Sequence, residues 1–76
     1  MKDTLLTIVK ALVDNPNDVA VEEMDDNGFV TLTIAVNRDD MGKIIGKEGK
    51  VIRSIRNIMK IPAMKQSKKI QISLSE

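Results

Sequence analysis

The chain has 76 residues, no cysteine, no histidine and a net charge of +1; this fits one small domain and excludes disulfide frameworks, thiolate metal centres and imidazole acid–base chemistry. Its acidic residues do not follow calcium-loop spacing, and no apolar run approaches the ~20 residues that cross a bilayer. The near-neutral total hides a split, with residues 1–40 balancing to −6 and residues 41–76 to +7, so one face suits a polyanion unless the basic groups only solvate a helix and a strand.

In chain order, Leu5, Leu6, Ile8, Val9, Leu12 and Val13 form an apolar stripe at helical spacing. This predicts a helix over 3–13 with Asp3 as its N-cap. Asp14-Asn15-Pro16-Asn17-Asp18 is a stop and turn. Val19 to Met24 reads as a short strand, and Asn27-Gly28 after it is a hairpin turn signal. From Phe29 to Asn37, Val30, Leu32, Ile34 and Val36 alternate with Thr31, Thr33 and Ala35. That is a half-buried strand, antiparallel to the first.

Asp39 or Asp40 is placed to cap a short helix over about Met41 to Ile45. Gly46-Lys47-Glu48-Gly49 interrupts it, and a third helix starts near Lys50. Val51, Ile52, Ile55, Ile58 and Met59 mark its buried stripe, and Lys50, Arg53, Arg56, Asn57 and Lys60 its wet side. Pro62 donates no amide hydrogen and restricts the residue before it, so the helix is expected to end or kink near Ile61. Gln66-Ser67 turns, and Ile70, Ile72 and Leu74 alternate as a last strand. The αββααβ order predicts an α+β fold, a three-stranded sheet covered on one face by three helices.

The segment Ile44 to Ile52 carries the functional reading. Two glycines three apart separate two helices, and glycine permits backbone angles and close approaches closed to other residues. Gly49 opens a helix, whose free amides and dipole favour a phosphate, and Lys47, Lys50 and Lys43 add charge. A plain helix-to-helix turn is the bland alternative. A Walker A loop fails on spacing, since three residues separate Gly42 from Gly46-Lys47 and Glu48 follows. A dinucleotide fingerprint needs a strand before its glycines, and here a helix stands there.

Ile45-Gly46-Lys47-Glu48-Gly49-Lys50-x-Ile52 matches the I-G-x-x-G-x-x-I pattern of KH domains. With the lead-in Asp40-Met41-Gly42-Lys43-Ile44 and the earlier Leu12-Val13-Asp14-Asn15-Pro16, nearly the whole chain resembles a type II KH domain. It is similar to the small bacterial single-KH RNA-binding proteins of the KhpA type. The resemblance implies one KH domain over 1–76 that binds about four nucleotides of single-stranded RNA. Gly46 and Gly49 would let the backbone pass, Lys47 would pair with phosphate, and Glu48 would point to solvent. Met41, Gly42 and Ile45 would line an apolar groove, with Lys43, Lys50 and Arg53 at its edge. It further implies a cytoplasmic RNA chaperone or post-transcriptional regulator, with no cofactor. Self-association, or pairing with a second KH-containing protein, is also implied. Relatives run alanine-rich where this chain has Ile61-Pro62-Ala63-Met64, which bears on any dimer surface there.

Phe29 is the lone aromatic residue and is expected to pack on the sheet, so binders that stack bases on rings do not fit. Affinity then comes from phosphate charge and aliphatic contact, roughly 1–100 μM. Met24, Met59 and Met64 read as core filler; Met41 reads equally as core or groove. Lys65, Lys68 and Lys69 read as a solvated strand end, and Glu22, Glu23, Asp25 and Asp26 as blunting an edge or hairpin tip. Three functions are weighed: a module for single-stranded RNA, with single-stranded DNA open as a ligand; a module that mainly dimerises or docks on a protein; and a nucleotide enzyme, for which catalytic groups are lacking.

Overall fold

The computed structural model describes residues 1–75. Helix α1 spans Lys2–Leu12 and buries Leu5 and Val9, one turn apart on its inner face. It starts one residue earlier than expected, with the Leu5 amide donating to the Met1 carbonyl at 3.2 Å. Asp3 is therefore not the N-cap. It lies in the first turn, where its charge complements the free amides and the helix dipole. A single 3₁₀ turn, Pro16–Asp18, follows.

Strands β1 (Ala20–Asp26) and β2 (Phe29–Ala35) form the expected antiparallel hairpin, in register from Ala20 opposite Ala35 to Asp26 opposite Phe29. Asn27 and Gly28 take φ of 53° and 89°, the positive values a tight hairpin turn requires. The bounds differ from expectation: β1 runs on to Asp26, and β2 ends at Ala35 rather than Asn37. The cause is the turn, which keeps the pairing intact up to Asp26.

Next come α2 (Met41–Ile45), α3 (Lys50–Lys65) and β3 (Lys69–Leu74). β2 is the central strand, antiparallel to β1 and parallel to β3. Val30, Leu32 and Ile34 stand opposite Ile70, Ile72 and Leu74, so their side chains share one face. The helices cover that face, and Leu5, Val9, Ile44, Ile55 and Met59 join the strand residues in one core. This is the type II KH architecture, α+β with a mixed three-stranded sheet. Both β1 and β3 keep a free edge.

Pro62 neither ends nor kinks α3 at Ile61: the helix continues to Lys65. Its buried residues, Ile52, Ile55, Met59 and Ala63, continue past the proline without a break. Anchoring Ala63 in the core outweighs the amide hydrogen that Pro62 lacks. The helix closes at Gln66-Ser67, as expected. There Ser67 takes φ of 55°, its amide donates to Met64, and the Lys68 amide donates to Ala63 at 2.9 Å, a left-handed cap that satisfies the last carbonyls. Ile58, expected in the buried stripe, is instead 47% exposed. Met59 is core filler as expected, whereas Met24 and Met64 are 65% and 75% exposed and are not. Among the described residues, no helix is long and apolar enough to cross a membrane.

Candidate nucleic-acid interface

The loop is shaped by three residues with positive φ. Gly46 stands at φ 74°, ψ 175°, Glu48 at 57°, 24°, and Gly49 at 73°, 18°. At Gly46 the need for glycine is twofold. An added β-carbon would lie 2.3 Å from Val51 Cγ2 and 2.9 Å from the Val51 amide nitrogen. At Gly49 the same carbon would meet open space, so only the backbone angle selects glycine there.

The loop consumes some of the amides expected to be free. Gly49 donates to the Gly46 carbonyl at 3.2 Å, and Lys50 donates to the Lys47 carbonyl. The amides of Lys47 and Glu48 enter none of the backbone bonds that tie the loop to its neighbours. Two donors therefore remain at its tip, beside the exposed Lys47 side chain. Arg53, one turn into α3, holds the loop from behind, its Nη2 donating to the Glu48 carbonyl at 2.7 Å. That bond fixes the one non-glycine residue of the loop in a left-handed conformation. Among the described residues, the ion pairs involve Lys43 and Lys68 but none of Lys47, Lys50 and Arg53.

Lys43 faces the other way. Its Nζ lies 2.5 Å from Asp14 and 3.5 Å from Asp40, and the bond to Asp14 holds its pKa above the ordinary value. Asp40 is the one fully buried charged residue among those described. It precedes α2 but does not cap it with its side chain; Asn37 caps the preceding turn by accepting from the Asp39 amide at 2.9 Å. The Asp40 carboxylate instead accepts from the Asp14 amide at 3.2 Å and from the Asn15 amide and side chain, both at 3.0 Å. Burial pushes its pKa up. The three hydrogen bonds and Lys43 outweigh burial, so it stays below the ordinary carboxyl value. The end of α1 and the start of α2 are thereby tied together, which positions the loop.

A groove of about 550 Å³ runs between α3 and β3, where Arg53, Arg56, Asn57 and Lys60 face Ile70 and Ile72. The half-exposed Phe29 also lines it, rather than being packed away on the sheet as expected. A second depression of about 310 Å³ is lined by Lys50, Arg53, Ser54 and Asn57. Arg53 and Asn57 border both, so a cationic surface continues from the loop to the free edge of β3.

The structure thus brings Gly46, Lys47, Glu48, Gly49, Lys50 and Arg53 together. Met41, Gly42 and Ile45 lie on α2, with Gly42 and Ile45 exposed, and border neither depression. Sequence reasoning placed Arg56, Asn57 and Lys60 on the wet side of their helix but did not assign them to a site. The β3 edge was invisible because the parallel pairing that aligns it with α3 leaves no local signal.

The model of the KhpA/KhpB KH domain matches residues 2–74. The chain is 39% identical to the RNA-binding protein KhpA of Clostridium perfringens, over 97% of this chain and 99% of that one. It is 36% identical to the RNA-binding protein KhpA of Listeria monocytogenes over the full length of both. Among solved structures, Era in complex with MgGDPNP and nucleotides 1506–1542 of 16S ribosomal RNA shares the fold. The TM-score is 0.59 at 16% identity, covering 96% of this chain and 28% of Era.

Proposed function

The chain belongs to the KhpA/KhpB KH-domain family, and from that premise we propose that it binds single-stranded RNA with little sequence preference, as a cytoplasmic RNA chaperone or post-transcriptional regulator and not as an enzyme. Its relatives are named RNA-binding proteins. The observation that carries the reading is the Gly46–Gly49 loop, whose tip offers two amides and an unpaired lysine. The RNA backbone crosses the loop with a phosphate at Lys47, and the strand continues along Lys50 and Arg53 into the groove against β3. Phosphate contacts supply most of the affinity, so binding weakens steeply with salt.

Fluorescence anisotropy with a labelled single-stranded RNA tests this, comparing the native chain with a Lys47→Asp/Glu48→Asp double variant whose fold is checked by circular dichroism. Binding by the native chain and loss in the variant is expected. Equal binding by both, or by neither, reduces the loop to a turn.

A second reading accompanies the first. Ile58, Ile61 and Met64 of α3 are 47%, 58% and 75% exposed, with the half-exposed Leu12 of α1 nearby on the helical surface. Such a patch suits self-association or pairing with a second KH-containing protein. Sedimentation velocity on the native chain and on Ile61→Lys distinguishes a dimer that the charge disrupts from a monomer in both cases.

A further inference from the structure

The free edge of β3 carries a second layer of information about RNA. The Lys69 amide donates to the Gly28 carbonyl at 2.9 Å, and the Ser75 amide to the Ile34 carbonyl at 2.8 Å. Odd-numbered residues of β3 therefore turn their backbone groups toward β2. The alternation turns those of Ile70 and Ile72 outward, along the groove they line with α3. An unpaired base laid against this edge would meet one amide donor and one carbonyl acceptor at each outward residue.

At Ile72 the acceptor is already taken. Arg56 reaches across from α3, and its Nη2 donates to the Ile72 carbonyl at 3.2 Å. A guanidinium carries five N–H donors and no acceptor, so its remaining donors stay at the groove wall that Arg56 forms. The mouth of the edge strand is changed from a donor–acceptor pair into a cluster of donors. Adenine and cytosine present an exocyclic amine, itself a donor, whereas uracil and guanine present a carbonyl oxygen at the corresponding position. An amine turned toward Arg56 finds no acceptor and loses its water; a carbonyl oxygen finds a charged donor.

We propose that Arg56 is a specificity-determining residue that makes the α3–β3 groove favour the keto bases uracil and guanine over the amino bases adenine and cytosine. This rests on the RNA-binding reading above and refines it: binding remains tolerant along the phosphate backbone and is biased at the one base that reaches Ile72.

The test is anisotropy on the full chain with labelled oligouridine, oligoadenosine and oligocytidine of equal length. The native protein is expected to bind oligouridine about fivefold tighter than the other two, the effect of one hydrogen bond. Arg56→Met frees the Ile72 carbonyl and is expected to erase that ratio while weakening all three complexes. Lys60→Met removes a charge from the same groove and is expected to weaken all three while keeping the ratio. Equal affinity of the native protein for the three oligonucleotides overturns the proposal, whatever the stability of the variants. An unchanged ratio in a folded Arg56→Met does the same. Binding to none of them is a different result, since it removes the RNA-binding reading itself.

Discussion

The Asp40 carboxylate reaches back to Asn15, twenty-five residues earlier, and accepts both its backbone and its side-chain N–H at 3.0 Å. One buried acid thus joins the segment that ends α1 to the segment that begins α2. Asp40→Asn keeps the shape but turns an amide donor toward N–H groups, leaving them unpaired. The thermal midpoint is expected to fall by about 5–10 °C, read by circular dichroism. The pH profile gives a separate readout. The Asp40 pKa lies below its ordinary 3.8 in the folded state, so its contribution is fully present above that value and is lost as pH falls through the folded pKa. The native chain should hold its stability down to about pH 4 and lose it below. Asp40→Asn should show a shallower acid slope. Asp25, lowered chiefly by its hydrogen bond from Lys68, retains part of that slope in both.

The two loop glycines should respond differently to alanine. Gly46→Ala drives a β-carbon into Val51, backbone nitrogen included, and is expected to cost about 1–3 kcal/mol by overpacking while moving the loop. Gly49→Ala meets no neighbour and bears only the left-handed strain, about 1–2 kcal/mol. Urea titration should rank Gly46→Ala as the less stable. Adding Val51→Ala should restore part of the loss at Gly46 and none at Gly49.

The lysines at 43 and 47 should separate along another axis. Lys47 has no ion-pair partner among the described residues, whereas Lys43 pairs with Asp14 and Asp40. Lys47→Ala should lower the slope of log affinity against log salt by about 1. Lys43→Ala should leave that slope nearly unchanged and lower the thermal midpoint instead. Equal slopes for the two variants would contradict this division.

Phe29 lines the α3–β3 groove and is 45% exposed. A base that stacks on its ring gains an energy comparable to other base–aromatic contacts, so Phe29→Ala should weaken RNA binding about tenfold. Phe29→Tyr, which keeps the face of the ring, should bind as the native chain does. Affinity unaltered by alanine would return Phe29 to a purely structural role.

Much of this molecule could be read in advance. Alternation from Val30 to Ile34 and the Asn27-Gly28 pair identify the hairpin because strand period and turn chemistry are local. Gly46 and Gly49 stand out for the same reason. What escaped reading depends on partners distant in the chain. Asp40 looks like a cap from its neighbours alone, yet its hydrogen bonds lie with Asp14 and Asn15. Lys43 looks like a phosphate contact until Asp14 folds back onto it. Pro62 is a helix breaker by propensity, and only the burial of Ala63 carries the helix past it. Arg56 is one of several exposed cations until β3 arrives beside it.

The parallel pairing of β2 with β3 puts α2, the loop and α3 between two neighbouring strands. The hairpin closes over a few residues and needs little else, while the β2–β3 contact must first close a long stretch of chain, which is slow. The groove therefore appears late in folding, when β3 seats against β2 with α3 already alongside. A chain caught before that step displays Lys47 and the cations of α3 with no strand edge next to them. It attracts RNA by charge and has no place to keep a base.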